Sequence, residues 1–177
     1  MLRSRSWVPP ISGLFRSVTF KRLYLWLLGM VILWFANPGG AIAASIDPYV
    51  LRYLDVAEPV ELPMDAQQTR SFTGAELSQG KRFFEENCVN CHVGGATLPN
   101  PSEPLSLETL KGAMPPRDTI SSLVAFIRHP MTYDGQEDSY WCREVPESWL
   151  SDPEVENLAA FILRASQKAP GWGTGEF

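Results

Sequence analysis

The residues Cys88-Val89-Asn90-Cys91-His92 form a C-x-x-C-H motif, and the organisation of the chain follows from it. Cysteines three positions apart lie on one side of a helical turn, where both thiols can react with the two vinyl groups of one porphyrin. The next residue then presents an imidazole to the iron from one face. The motif predicts one covalently bound haem c, with Cys88 and Cys91 as thioether residues and His92 as an axial iron ligand.

Two other uses of a C-x-x-C pair agree less well with the sequence. A structural zinc site needs a second pair of ligands, and the whole chain has only 3 cysteines and 2 histidines. A thioredoxin-like dithiol needs a βαβ context, and the sequence has no such pattern. Haem attachment is therefore the interpretation that the available residues support.

The first 43 residues have the three parts of an export signal. Their basic residues are Arg3, Arg5, Arg16, Lys21 and Arg22. The apolar run 23–36 is shorter than the ~20 residues that a membrane-spanning helix needs, and Ala41-Ile42-Ala43 fits the A-x-A pattern of a cleavage site. We therefore predict a cleaved signal peptide over residues 1–43, with an uncleaved membrane anchor as the alternative.

The chain from residue 44 onward is strongly acidic. The full sequence has 15 basic and 20 acidic residues, and the leader holds five of the basic residues and none of the acidic ones, which leaves a net charge of −10. Such a charge opposes binding to nucleic acid or to anionic lipid. It favours a protein partner with basic patches, although acidity can also serve solubility alone.

Residues 44–73 are predicted to form an N-terminal arm followed by a hairpin. The prolines of this segment indicate an irregular, extended arm over 45–62. The runs 60–64 and 69–73 are separated by a short polar turn and can pair as antiparallel strands.

Residues 74–177 are predicted to form a helical domain. The capping box Thr73-Gly74-Ala75-Glu76 begins a helix that continues to about Cys91. The face of this helix that is predicted to meet the haem consists of Leu77, Gly80, Phe83, Phe84 and Asn87. Gly80 is expected to mark a close approach of another backbone.

Three further helices are predicted along the rest of the chain. The first is a short helix over 105–112, and the second runs over 119–128 with Asp118 as its cap. The capping box Ser151-Asp152-Pro153-Glu154 begins the last helix. Residues 171–177 are predicted to be a flexible tail.

A first helix that carries C-x-x-C-H and a packed C-terminal helix is the arrangement of a class I cytochrome c. We therefore predict a mainly α, class I cytochrome c fold for residues 74–177, preceded by the short hairpin. The first and last helices of this domain would cross, and the porphyrin would supply much of the buried apolar surface.

Three motifs carry a resemblance to a known family. They are Cys88-Val89-Asn90-Cys91-His92-Val93-Gly94-Gly95, Pro115-Pro116-Arg117-Asp118 and Pro130-Met131-Thr132-Tyr133-Asp134-Gly135. Their order and spacing resemble the extrinsic cytochrome c-550 family of photosystem II, over nearly all of residues 61–177. The resemblance implies a low-potential haem protein of the thylakoid lumen in cyanobacteria or plastids. It implies the lumenal subunits of photosystem II as partners, and so a peripheral association with the membrane.

The chain departs from this family at the second iron ligand. The family has an axial histidine several residues after the T-Y-D-G sequence, where this chain has Tyr140-Trp141-Cys142-Arg143 and no histidine. Cys142 is also left without a partner in an exported protein, and thiolate is a known haem ligand. We therefore predict that Cys142 is the second axial ligand and that the chain is a divergent cytochrome c-550-like paralogue.

Other assignments of the second ligand stay open at this point. The sequence offers His129, Met114 and Met131 as alternatives, and the position can also be open or hold water. In those cases Cys142 would be an inert buried thiol or would form an intermolecular disulfide.

Four side chains near these motifs are candidates for further contacts with the haem. Arg117 and Asp118 are candidates for contact with a propionate, although capping of the next helix is the favoured role of Asp118. Trp141 and Trp149 are candidates for covering the porphyrin.

The proposed ligands predict electron transfer rather than enzymatic catalysis. Iron with two protein ligands has no open position for a substrate, and a thiolate ligand stabilises Fe(III) and so predicts a low potential. Three functions are compatible with this chemistry: a haem protein docked on photosystem II, a soluble electron carrier for another partner, and a redox or ligand sensor with a labile thiolate.

Overall fold

The computed structural model describes residues 24–28, 30, 45–98 and 103–174, and the chain divides into two units between residues 43 and 44. In the first unit, residues 24–28 and 30 are helical with exposed side chains. No helix in the described part of the chain is long and apolar enough to cross a membrane. The predicted cleavage site lies outside the described residues, so the signal peptide stays a prediction.

The second unit begins with a short helix, α1, over Pro48–Tyr53, where an irregular arm is predicted from the sequence. The carboxylate of Asp47 accepts hydrogen bonds from the N–H groups of Tyr49 and Val50, at 2.7 and 3.4 Å, and so caps the helix. Pro48 occupies the first turn, where its fixed φ suits a helix and its missing N–H needs no partner. The prediction of an extended arm was wrong because it treated this proline only as a helix breaker.

The predicted hairpin is present and is tied to two helices. Strands β1 (Val60–Pro63) and β2 (Thr69–Phe72) pair in antiparallel register. Arg70 of β2 forms one ion pair with Glu76 at 2.7 Å and a second with Glu156. These two carboxylates lie on different helices, so the hairpin is anchored to both.

Helix α2 runs over Gly74–Asn87 and ends about one turn earlier than predicted, before the C-x-x-C-H motif. The predicted capping box at its start is present. The hydroxyl of Thr73 accepts a hydrogen bond from the N–H of Glu76 at 3.3 Å, and the carboxylate of Glu76 accepts one from the N–H of Thr73 at 2.8 Å. This reciprocal pair fixes the residue at which the helix begins.

Helices α3 (Leu107–Gly112) and α4 (Ile120–Arg128) lie in two of the predicted helical segments. The cap of α4 is Thr119 and not Asp118. The hydroxyl of Thr119 accepts from the N–H of Ser122 at 3.2 Å, and the hydroxyl of Ser122 accepts from the N–H of Thr119 at 3.1 Å. The prediction for Asp118 was wrong because a threonine and a serine close the same reciprocal box one residue later.

The last helix, α5, runs over Asp152–Lys168 and crosses α2. The predicted close approach at Gly80 is present. A Cβ atom built on Gly80 would lie 1.9 Å from the carbonyl oxygen of Asn157 and 2.9 Å from the Cβ of Phe161. The absence of a side chain at Gly80 therefore lets the two helix backbones touch.

The described part of the C-terminal segment packs against the helices. Trp172 lies with ring-centroid distances of 5.4 Å to Phe84 and 5.8 Å to Phe161, and its indole N–H donates to the carbonyl of Leu105 at 2.9 Å. The prediction of a flexible tail was wrong at this residue because both the ring and its N–H group have partners. Residues 175–177 lie outside the described part.

Replacing Gly80 by alanine should destabilise the fold, although alanine is the better helix former by about 1 kcal/mol. The added methyl group would overlap the Asn157 carbonyl, so α2 and α5 must separate. We expect the haem-loaded variant to lose ~1–3 kcal/mol of unfolding free energy in urea titrations followed by far-UV circular dichroism. Glu86→Ala, on the exposed side of the same helix, should stay within ~0.5 kcal/mol of the wild type. Equal stability of the two variants would contradict this account.

Candidate haem site

A cavity of about 500 Å³ lies beside the C-x-x-C-H motif. Proteins bind small molecules and cofactors in cavities of roughly 300–1000 Å³. The apolar residues of its walls include Phe84, Leu105, Leu110, Ala113, Leu123, Phe126, Ile127 and Ile162. The size and the apolar walls fit a porphyrin, whose two faces are hydrophobic.

Of the α2 face that is predicted to meet the haem, only Phe84 lines the cavity. Gly80 faces α5 instead, and the side-chain amide of Asn87 donates back to the carbonyl of Phe83 at 2.9 Å. Leu77, Gly80, Phe83 and Asn87 do not line the cavity, so the prediction that they face the haem was wrong. Helical periodicity identifies a buried face but does not tell whether a helix or a cofactor covers it.

A tight turn brings the three motif residues to the cavity. The N–H groups of Cys91 and His92 both donate to the carbonyl of Cys88, at 3.1 and 3.0 Å, so the motif closes one turn after the end of α2. All three residues line the cavity. Gly94 and Gly95 follow with φ values of 57° and 80°, a left-handed conformation that leads the chain away from the motif.

His92 is half-buried, and its hydrogen bonds fix the orientation of its ring. Burial lowers the pKa of His92, which favours the neutral imidazole, the form that binds metal. Its Nδ1 lies 3.1 Å from the hydroxyl oxygen of Thr97, and this hydroxyl donates to the carbonyl of Glu103 at 2.6 Å. Because the hydroxyl hydrogen is used in that bond, Nδ1 carries the proton and donates to Thr97. The lone pair on Nε2 is then available to a metal.

No disulfide joins the three cysteines of the chain, and they lie close enough to influence one another electrostatically. Burial, with smaller effects from Cys142 and Cys91, raises the pKa of the Cys88 thiol to about 12. Burial also raises the pKa of Cys142, while the positive charge of Arg117 acts in the opposite direction. Cys142 therefore lies in the same site as the motif, although it is distant from the motif in sequence.

The structure separates the four candidates for the second ligand. Cys142 and Met131 line the cavity, whereas His129 and Met114 do not. His129 is the exposed C-cap residue directly after α4, and Met114 has 63% of its surface exposed in the turn before α4. Because neither His129 nor Met114 lines the cavity, the geometry of the site favours Cys142 and Met131 over these two alternatives.

Arg117 places a positive charge in the cavity wall. One of its terminal nitrogens donates to the carbonyls of Met131 and Thr132, at 3.2 and 2.7 Å, and the guanidinium lies 3.9 Å from the ring centre of Phe126. Burial lowers the pKa of Arg117, which nevertheless stays charged at neutral pH. The other terminal nitrogen has no acceptor in the described part of the chain, so it can bind a carboxylate such as a haem propionate. Asp118 does not line the cavity.

Of the two tryptophans that are predicted to cover the haem, only Trp141 lines the cavity. Trp149 lies elsewhere, with the centre of its ring 5.6 Å from the guanidinium carbon of Arg143. Thr97 is a site residue that cannot be predicted from the sequence, because a threonine five positions after a histidine has no signal of its own. Haem c fits this site. The site combines the two thiols of the motif, the oriented imidazole of His92, the thiol of Cys142, apolar walls and the positive charge of Arg117.

The amino-acid sequence matches a known family over most of its length. The cytochrome c-550 domain family matches residues 53–177. A cytochrome c-550-like protein of Thermosynechococcus vestitus is 56% identical over 164 residues, which cover 89% of this chain and 94% of the relative. The Photosystem II extrinsic protein V of Gloeobacter violaceus is 50% identical over 165 residues, which cover 90% of this chain and 88% of that protein.

Solved structures agree with the fold. The crystal structure of the PsbV2 cytochrome from Thermosynechococcus elongatus is 61% identical, with a TM-score of 0.72 over 73% of this chain and 99% of that one. The structure of cytochrome c549 is 31% identical, with a TM-score of 0.54 over 60% of this chain and 90% of that one. The predicted mainly α fold with a short hairpin is thereby confirmed. The chain belongs to the cytochrome c-550 family and is a class I cytochrome c with covalently bound haem c.

Proposed function

We propose that this protein is a low-potential monohaem cytochrome that transfers single electrons in the thylakoid lumen, in peripheral association with photosystem II. The observation that carries the proposal is one cavity that contains His92, Cys142 and both cysteines of the motif. Two protein ligands on one iron leave no open position for a substrate, which favours electron transfer over enzymatic catalysis. The haem, when bound, supplies the one-electron couple at its iron.

In this proposal each residue of the site has a separate task. Cys88 and Cys91 bind the porphyrin covalently, and His92 ligates the iron through Nε2. Thr97 holds the His92 ring through the hydrogen bond at Nδ1 and so keeps Nε2 directed at the metal. Arg117 binds a propionate with the terminal nitrogen that is not used by the loop carbonyls.

Cys142 is the proposed second axial ligand. A thiolate adds negative charge at the iron and stabilises Fe(III), so the reduction potential should be low. The guanidinium of Arg117 offsets part of the cost of burying this charge, consistent with its lowering effect on the pKa of Cys142. Met131 also lines the cavity and is the remaining alternative, and a thioether ligand would give a higher potential.

The proposed association with photosystem II and the proposed lumenal location rest on one relative, on the predicted signal peptide and on the charge of the chain. A relative that is 50% identical over 90% of the chain is named Photosystem II extrinsic protein V. The predicted signal peptide over residues 1–43 would direct the chain across a membrane. The net charge of −10 from residue 44 onward suits a partner with basic patches rather than nucleic acid or anionic lipid.

Replacing Cys142 by serine tests the ligand assignment. A hydroxyl is a weak ligand, so the haem-loaded ferric variant should lose the low-spin electron paramagnetic resonance signal of the wild type and gain a high-spin signal. Its reduction potential should rise by ~0.1 V or more, within the ~0.8 V range over which axial ligands set haem potentials.

Met131→Leu is the matched control, because Met131 lines the same cavity and leucine keeps the volume without the sulfur. This variant should keep the low-spin signal and the potential of the wild type. If Met131→Leu loses the low-spin signal while Cys142→Ser retains it, Met131 is the ligand and the assignment of Cys142 is wrong.

Fractionation of cyanobacterial thylakoids that contain the protein tests the partner. The protein should co-purify with photosystem II at low ionic strength and leave it in ~1 M salt, where the Debye length falls to ~3 Å. Photosystem I from the same membranes should lack it. Recovery in the soluble lumenal fraction at low salt, with fast electron exchange with a soluble donor, would support a carrier for another partner instead.

A further inference from the structure

Arg128 holds the end of the loop over residues 129–151, which connects α4 with α5 and carries Cys142. Its terminal nitrogens donate to the carbonyls of Val145 and Leu150, each at 2.8 Å, and to the carboxylate of Asp152 at 3.0 Å. Only 14% of the Arg128 side chain is exposed, so the two bonds to the carbonyls are partly buried, whereas the carboxylate of Asp152 is 71% exposed. Arg128 therefore connects the end of α4 with the end of the loop and the start of α5.

The first half of the same loop is held independently of Arg128. The N–H of Ser139 donates to the carbonyl of Pro130 at 2.9 Å, and Met131 and Asp138 form an antiparallel bridge. Arg117 donates to the carbonyl of Met131 at the base of this bridge. The first half of the loop is therefore a closed turn with a fixed base.

Residues 140–144 connect this closed turn with the anchored end of the loop and contain the proposed ligand; they are termed the ligand span. Tyr140 is 94% exposed and does not line the cavity, so burial of this large side chain does not hold the span in place. An extended chain from Ser139 to Val145 would cover ~20 Å, so chain length alone does not fix the thiol. The N–H of Cys142 donates to the hydroxyl of Ser139 at 3.3 Å, which ties the span to the closed turn, and the anchor at Val145 holds the other end.

We infer that Arg128 is a positioning residue for Cys142, an inference that rests on the proposed role of Cys142 as an iron ligand. Val145 is the anchor at the far end of the ligand span. Its N–H donates to the carbonyl of Ile127 at 3.0 Å, and its carbonyl accepts from Arg128. Without the guanidinium, the carbonyls of Val145 and Leu150 lose this donor, and the end of the loop can move away from α4. The thiol would then leave the iron more often.

Arg164 offers a matched control for Arg128. It also donates to two backbone carbonyls, those of Leu54 and Asp55, at 2.8 and 3.2 Å. These acceptors follow α1 and belong to no part of the loop that carries Cys142. Loss of Arg164 should therefore lower stability without moving the proposed ligand.

The test measures cyanide binding to the haem-loaded ferric protein, because cyanide binds only where an axial ligand has left. Arg128→Gln should raise the rate of cyanide binding at least about tenfold, as expected for a residue that orients a metal ligand. Arg128→Lys keeps the charge but loses the rigid fork of donors, so its rate should lie between those of the wild type and Arg128→Gln. The rate of cyanide binding to Arg164→Gln should stay within about twofold of the wild-type rate. This should hold even where the stability of Arg164→Gln in urea falls as much as that of Arg128→Gln.

The outcomes distinguish this inference from the ligand assignment on which it rests. Cys142→Ser should bind cyanide much faster than the wild type, and a wild-type rate in that variant would overturn the ligand assignment. A fast Cys142→Ser together with a wild-type rate in Arg128→Gln would overturn only the inference about Arg128. Equal acceleration in Arg128→Gln and Arg164→Gln would also overturn it, because the effect would follow global stability. If Arg128→Gln does not fold with haem, the rate of Arg128→Lys decides.

Discussion

The backbone contact between α2 and α5 at Gly80 is the constraint on which the rest of the structure depends. It sets the separation of the two helices at the carbonyl of Asn157. One turn further along α2, Phe84 lies on the same face, with its ring centre 5.4 Å from that of Phe161 on α5. The rings of Phe84 and Phe161 pack together between the two helices, and Phe84 also lines the cavity. A bulkier residue at Gly80 would separate the helices and change the space that must match a porphyrin.

The same pair of helices explains why the end of the chain joins the core. Trp172 packs against both Phe84 and Phe161, and a Cβ atom on Gly95 would lie 2.6 Å from its indole ring. Gly95 thus has two roles: its φ of 80° turns the chain away from His92, and its missing side chain leaves room for the tryptophan. The turn after the haem motif and the C-terminal segment are therefore packed together, so neither can move without disturbing the other.

The features that the sequence predicts correctly are those with a local signal. The C-x-x-C-H motif, the capping box at Thr73 and the close approach at Gly80 each depend on a few neighbouring residues or on one missing side chain. The helix that begins at Pro48 was not predicted, because proline occurs in the first turn of helices and also interrupts them. The neighbouring residues decide which of these two roles a proline has. Thr97 and Arg128 were missed for a different reason. Their roles depend on carbonyl groups that only the folded chain brings to them, and a carbonyl occurs in every residue.

Cys142, the proposed second iron ligand, lies on a loop that is held by side chains outside its own segment. A cysteine thiol lies closer to its backbone than the ring nitrogens of a histidine do, so a loop that ligates through Cys142 must bring its backbone nearer to the haem. An irregular loop has carbonyls without strand partners, and a guanidinium with five donors can satisfy several of them at once. Arg117 does this at the start of the loop and Arg128 at its end. In the proposed ligation by Cys142, the change of ligand and the anchoring of the loop by Arg117 and Arg128 would act together.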